Sequence, residues 1–155
     1  MAVQAELNMK KVEELAFRVV GDMGGAFIMA LGYIGDRLGP YKAMDGAGPI
    51  TSGELASKAG LNERYVREWL RAMVAAEYID YDPKSKKYSM SSEQAFVLSN
   101  EDSPMFVGGG FHFTAPSLLN VPKIMDAFKN GGGIHTRKLA TKFHRPLSAS
   151  FARAM

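Results

Sequence analysis

Residues 51 to 88 constrain the fold more than any other part of the chain, because several helix-start and helix-end signals follow one another there. Thr51 stands three residues before Glu54, which is the spacing of a capping box, and Gly60 can end the short helix that begins there. Asn62 can cap a second helix. Apolar residues recur along one side of that helix, at Val66, Trp69, Leu70, Met73 and Val74.

A hairpin pattern follows the second helix. Tyr78, Ile79 and Tyr81 predict a strand, residues 82 to 87 a turn, and Tyr88 the start of the return strand. Helix, tight turn, helix and hairpin in this order predict a winged helix-turn-helix. The predicted fold is mainly α, with a two-stranded wing and a long N-terminal helical arm.

The arm is predicted from one apolar stripe between residues 8 and 38, whose members lie three or four positions apart. A break is expected from Gly21 to Gly25. From Met23 to Ile34 apolar residues occupy the far side too, so this half should be covered all round. A small domain cannot cover such a helix alone, and we therefore predict a homodimer. The predicted interface residues are Gly21, Gly25, Phe27, Ala30 and Ile34.

A bilayer span is not expected in the arm. The uncharged run between Asp22 and Asp36 is 13 residues long, whereas a membrane helix needs about 20. The amino terminus also lacks the unbroken apolar segment and cleavage site of a signal peptide. We predict a cytoplasmic protein without a membrane partner.

The basic charge lies at the carboxyl end of the chain. Residues 134–155 contain five basic residues and no acid, and the other residues contain 14 bases and 16 acids. The body of the protein therefore has no general attraction for nucleic acid. We divide the chain into a winged-helix domain, residues 1–133, and a basic tail or linker remnant, residues 134–155.

A DNA-binding regulator is the alternative function for a winged helix. Residues 62 to 87 contain six bases and five acids, a weak balance for neutralising several phosphates. If DNA is bound, the predicted major-groove contacts are Asn62, Arg64, Arg67 and Arg71, and the predicted wing contacts are Lys84, Lys86 and Lys87.

The sequence shows no complete catalytic apparatus. Two glycine triplets, residues 108–110 and 131–133, do not follow a strand and open a helix as cofactor loops do, so helix ends or close packing are favoured. The histidines lack metal-ligand spacing. Phe111, His112 and Phe113 are a possible substrate pocket, although a partly buried core histidine is the favoured interpretation. We predict no catalytic, cofactor-binding or metal-binding residue.

Three stretches carry a family resemblance: YIGDRLGPYKAM from Tyr33 to Met44, the segment from Thr51 to Pro83 around LNERYVREWL, and EDSPMF from Glu101 to Phe106. Together they resemble the N-terminal winged-helix domain of bacterial class I S-adenosylmethionine-dependent methyltransferases.

The resemblance implies a domain that dimerises through its long helices and caps the substrate pocket. In that family S-adenosylmethionine binds a Rossmann-like domain that follows the winged helix. The glycine-rich cofactor loop of that domain is not recognisable in the sequence up to Met155. The chain therefore looks like a truncated, amino-terminal portion, expected to be inactive alone and to bind no cofactor. The resemblance does not indicate which methyl acceptor is used.

Overall fold

The computed structural model describes residues 7–132. The predicted basic tail, residues 134–155, lies outside them. A two-stranded antiparallel sheet pairs Tyr81 with Tyr88. In chain order, the elements are α1 Met9–Leu38, α2 Pro40–Met44, α3 Ser52–Ala59, α4 Glu63–Ala75, β1 Asp80–Asp82, β2 Lys87–Ser89, α5 Ser92–Leu98, α6 Gly108–Ser117, a 3-10 turn Leu118–Asn120 and α7 Val121–Asn130. The predicted mainly α winged helix-turn-helix, with its long arm and two-stranded wing, is confirmed.

The start of α3 forms the predicted capping box. The Glu54 amide donates to Thr51 Oγ1 at 3.2 Å, and the Thr51 amide donates to Glu54 Oε2 at 2.7 Å. The Thr51 backbone and side-chain hydrogen bonds hold the pKa of the exposed Glu54 carboxyl below its usual value. Gly60 ends the helix in the left-handed conformation, with φ of 68°.

Helix α4 places its apolar side in the core. Asn62 caps it by accepting a hydrogen bond from the Arg64 amide at 3.1 Å. Tyr41 packs edge-on against Trp69, and its hydroxyl donates to the Met73 sulfur at 2.9 Å. The buried apolar side chains around this centre are Tyr41, Met44, Ile50, Leu55, Ala56, Val66, Trp69, Leu70, Met73, Ile79, Tyr88, Leu98 and Phe111.

The wing differs from the prediction in two respects. Strand β1 begins at Asp80 rather than Tyr78, because the Tyr78 amide donates back to the Met73 carbonyl at 2.9 Å and Glu77 has a φ of 60°. Tyr78 therefore belongs to the turn that follows α4 and not to the strand. Ile50 also pairs with Tyr88 through two backbone hydrogen bonds of 2.8 Å. This bridge ties the segment before α3 to the wing.

The predicted break at Gly21 to Gly25 is wrong, since α1 is one helix of 30 residues. Each glycine lowers helix propensity by about 1 kcal/mol, but no proline interrupts the hydrogen-bond ladder. The N-terminal part of α1 projects from the core. Residues 8–27 are exposed, and packing begins at Ile28. The half from Met23 to Ile34 is thus not covered all round within one chain.

The core holds the C-terminal end of α1 tightly. The Trp69 indole donates to the Leu31 carbonyl at 2.9 Å. A Cβ atom on Gly35 would lie 2.5 Å from Tyr41 Cε2 and 2.6 Å from Trp69 Cζ2. Only a glycine admits both rings at that distance. The helix ends at Leu38, where Gly39 takes a φ of 81° before Pro40 starts α2.

The continuity of α1 corrects the length argument against a membrane span. By length and composition, α1 is one helix that could cross a bilayer, a test that a signal sequence near the N-terminus also passes.

Candidate functional site

Two groups of exposed apolar side chains distinguish this domain from a closed globular one. We call the first the arm surface: Met9, Val12, Leu15, Phe17, Val19, Val20, Met23, Phe27, Ile34 and Leu38 on α1. We call the second the α6–α7 surface: Phe113, Leu118, Leu119, Val121, Ile124, Met125 and Phe128. Exposed apolar groups in such density are typical of surfaces that contact a partner.

The predicted interface residues lie on the arm with different degrees of exposure. Phe27 is 73% exposed and Ile34 is also exposed, whereas Ala30 is half-buried. A Cβ atom on Gly21 or Gly25 would meet nothing within 4 Å. All five residues except Ala30 are thus largely open to a second molecule, and their place in an interface stays a prediction.

The three residues of the possible pocket point in different directions, because successive helical residues are about 100° apart. Phe111 is buried, and a Cβ atom on Gly32 would lie 2.5 Å from its Cε1 atom. Phe113 is 63% exposed. Only His112 lies at a partly covered polar position. This placement favours the interpretation of His112 as a core histidine over a common pocket.

His112 has a partner that spacing in the sequence did not reveal. Its Nε2 atom contacts Asp36 Oδ2 on α1, 76 residues away in the chain. The two side chains are only 9% and 3% exposed, respectively. The ring of Tyr33 packs edge-on against the imidazole, with centroids 5.2 Å apart. Helices α1 and α6 are therefore joined by a buried polar pair, and no local motif could have predicted it.

Nδ1 is the other nitrogen of the His112 ring. It is buried and has no hydrogen-bond partner among the described residues. An ionised carboxylate can only accept, so the contact is a hydrogen bond when Nε2 is protonated. Within residues 7–132, no group of three or more His, Asp or Glu side chains could hold a metal ion. The pair links α1 and α6.

The exposed face of α4 is largely neutralised by its own acids. Arg71 Nη1 lies 3.1 Å from Glu68 Oε1, and Arg67 Nη1 lies 3.7 Å from Glu63 Oε1. The Asn62 side chain is engaged in capping. A phosphate would have to displace these carboxylates or face them, which weakens DNA contact by this helix.

The predicted wing contacts lie around a turn organised by another acid. Asp82 accepts hydrogen bonds from the Lys84 amide at 3.0 Å and from the Ser85 hydroxyl at 2.6 Å. These bonds, first that from the Ser85 side chain, lower the pKa of the Asp82 carboxyl. The carboxylate thus stays charged in the same turn as Lys84 and Lys86, and the wing is not a purely basic surface.

The DNA-binding alternative can be tested at Arg67, and we expect the test to be negative. We expect neither the wild-type chain nor an Arg67→Glu variant to retard a duplex oligonucleotide in a gel at moderate salt, because α4 has an excess of only one positive charge, three arginines against two glutamates. Arg64→Ala is the control variant. Arg67 forms an ion pair with Glu63, whereas Arg64 forms none with a described acidic residue. A salt-dependent shift with wild-type protein that Arg67→Glu abolishes would establish the DNA-binding function instead.

Comparison with known proteins gives the class of domain. Residues 26–100 match the family model described as the Rv2258c-like winged HTH domain. No curated protein matches the chain significantly. The matched residues include the packed end of α1, α2 to α5 and the wing. The segment is therefore similar to the Rv2258c-like winged domains, and its fold is a winged helix-turn-helix.

Three solved methyltransferase structures have a similar fold. Mitomycin 7-O-methyltransferase MmcR aligns with a TM-score of 0.63 and 20% identity over 80% of this chain and 37% of its own. Human N-acetylserotonin methyltransferase, in complex with S-adenosylmethionine, aligns with a TM-score of 0.65 and 16% identity. The alignment covers 98% of this chain and 43% of the human protein. The dimethyltransferase RosA from Streptomyces davawensis aligns with a TM-score of 0.60 and 18% identity. The alignment covers 96% of this chain and 40% of RosA.

These alignments confirm the predicted resemblance at the level of the fold. The chain spans less than half the length of each of these methyltransferases. The alignments therefore show that the chain shares a fold with these proteins, and they do not assign methyltransferase activity to it.

Proposed function

We propose that this chain is the dimerisation and substrate-capping portion of an S-adenosylmethionine-dependent methyltransferase. The observation that carries the proposal is the exposed apolar arm surface on a winged-helix domain whose structural neighbours are methyltransferases. Cofactor binding and methyl transfer would belong to a partner domain. A cytoplasmic location remains part of the proposal.

A second copy of the chain fits the arm surface better than a bilayer does. One side of the C-terminal part of α1 packs on the core through Ile28, Met29, Leu31 and Tyr33, so this part is not free to insert. The projecting part, residues 9–27, contains six charged residues and is shorter than the roughly 20 apolar residues of a membrane span. In water the same part can pack against a symmetric copy, with its charges along the edge of the contact. Homodimerisation follows as the proposed use of the arm.

The glycines of the arm support the same occupant. Gly21, Gly24 and Gly25 have no side-chain neighbours within 4 Å of an added Cβ atom. Glycine weakens a helix interior by about 0.5–1 kcal/mol relative to alanine. Three glycines within five residues thus reduce the stability of an isolated arm, whereas they let the backbone of a second helix approach closely.

Capping of a substrate is proposed from the α6–α7 surface. This segment follows the winged helix in the chain, and its apolar side chains are open to contact. We propose that it lies over the methyl-acceptor pocket of the catalytic domain. His112 is less suited to bind the acceptor, because Asp36 already holds it in a buried pair.

The test combines two measurements on the chain as it exists. Sedimentation should give a mass of about twice the 16.9 kDa chain at micromolar concentration. Calorimetry with S-adenosylmethionine should show no binding, with a methyltransferase of known affinity as positive control. A chain that stays monomeric at high micromolar concentration would remove the dimerisation role, and micromolar affinity for S-adenosylmethionine would contradict the assignment of the cofactor site to another domain.

A further inference from the structure

The contact between α1 and α6 combines one polar pair with two close glycine contacts. Asp36 on α1 contacts His112 on α6. Phe111 packs at Gly32, where no Cβ atom would fit. A Cβ atom on Gly108 would lie 2.9 Å from Asp36 Oδ1. All three features specify the same relative position of the two helices.

We propose that the Asp36–His112 pair is a latch that sets the register of α6 on α1. Among the buried residues of the described chain, Asp36 is the one charged side chain. A buried charge without a partner is costly, so any arrangement that separates it from His112 is disfavoured. The latch selects one packing where apolar contacts alone would permit others.

Sliding α6 by one turn, about 5.4 Å, shows why the pair is selective. The residues one turn from His112 are Gly108 and Pro116, and neither carries a side-chain donor. A shifted α6 would thus take His112 away from the buried Asp36 carboxylate and bring no other side-chain donor in its place. It would also move Phe111 away from Gly32. Gly35 could not receive Phe111 in its place, because the rings of Tyr41 and Trp69 already fill that position.

The consequence concerns the proposed dimer. Helix α6 leads directly into the 3-10 turn and α7, so its register determines where the α6–α7 surface lies relative to the arm surface. Loss of the latch should leave the winged-helix core folded but allow α6 to take more than one position. This consequence rests on the proposed dimer, whereas the register itself belongs to a single subunit.

The register can be measured within one subunit by spin labelling. The chain contains no cysteine, so nitroxides can be attached at Arg18→Cys and Lys129→Cys alone. Dilution with unlabelled protein removes distances between subunits. With the Asp36–His112 pair intact, we expect one narrow distribution of the distance between the two labels. The apolar variant Asp36→Leu/His112→Phe should give a broader distribution. Asp36→Asn is the matched control, because its amide oxygen still accepts from Nε2 and should keep the distribution narrow.

A swapped pair provides a second variant. Each of Asp36→His and His112→Asp should broaden the distribution, and their combination should narrow it again by restoring the hydrogen bond. Circular dichroism checks that the variants remain helical. Should the apolar variant unfold, the comparison of swapped and single variants decides the question. Single variants as narrow as wild type, or a swapped pair no narrower than the singles, would overturn the latch.

The oligomeric state separates this inference from the proposed function. We expect the apolar variant to raise the dimer dissociation constant about tenfold, which corresponds to about 1.4 kcal/mol. If the wild-type chain is monomeric, and the apolar variant broadens its narrow distance distribution, the dimer is rejected and the latch is retained. A dimeric wild type whose distribution is unaffected by loss of the pair would reject the latch and retain the dimer.

Discussion

Replacement of Gly35 by alanine is expected to lower the free energy of unfolding by about 1–3 kcal/mol, the usual cost of overpacking a core. The added methyl group would lie 2.5 Å from the Tyr41 ring and 2.6 Å from the Trp69 ring. Neither ring can retreat easily, since both are buried and Trp69 is also hydrogen-bonded to α1. Denaturant unfolding followed by circular dichroism measures the change.

Gly24→Ala is the matched control for Gly35→Ala. It makes the same chemical change in the same helix, at a position where the added methyl group meets nothing within 4 Å. At protein concentrations at which the chain is monomeric, it should stabilise the protein by up to about 1 kcal/mol through helix propensity. Both variants should be compared at equal protein concentration, because dimerisation contributes to apparent stability. Equal losses at the two positions would show that Gly35 is not a close-packing site.

Replacement of Phe27 by aspartate is expected to dissociate the proposed dimer. In a symmetric interface the change occurs twice, and each carboxylate would have to leave water on association. We expect the dissociation constant to rise at least about a hundredfold, or about 2.7 kcal/mol. Sedimentation over a range of concentrations measures it.

Tyr65→Asp is the control for Phe27→Asp. Both wild-type side chains are aromatic and 73% exposed, but Tyr65 lies on α4 and outside the arm surface. The Tyr65 variant should dimerise as the wild type does. If Phe27→Asp leaves the dimer intact, the interface does not include this part of the arm. If both variants dissociate it, the α4 face belongs to the interface.

The winged helix itself could be predicted from the sequence because its signals are local. The Thr51 capping box, the Asn62 cap and Gly60 each act within a few residues, and the apolar spacing of α4 reports directly which side is buried. The arm was predicted for the same reason. Its continuity was not, because glycines weaken a helix without necessarily ending it.

The candidate site was less accessible to sequence reasoning. The exposed apolar residues of the arm were recognised, yet the extent to which α1 leaves the core depends on where packing starts, at Ile28. The three neighbouring residues at 111 to 113 suggested a pocket, but helical geometry separates their directions. Asp36 and His112 lie 76 positions apart, so no spacing rule could have joined them.

By itself, the sequence determined which segments are helical, where α3 and α4 begin, and that part of α1 has more apolar surface than one small domain can cover. Tertiary structure alone decided that Ile50 pairs with Tyr88, that Gly32 and Gly35 receive aromatic rings, and that a buried carboxylate on α1 meets His112 on α6. The physical reason is the range of the interactions. Caps and helical periodicity depend on neighbours within a turn or two, whereas ring packing and buried polar pairs depend on where the folded chain brings distant residues together.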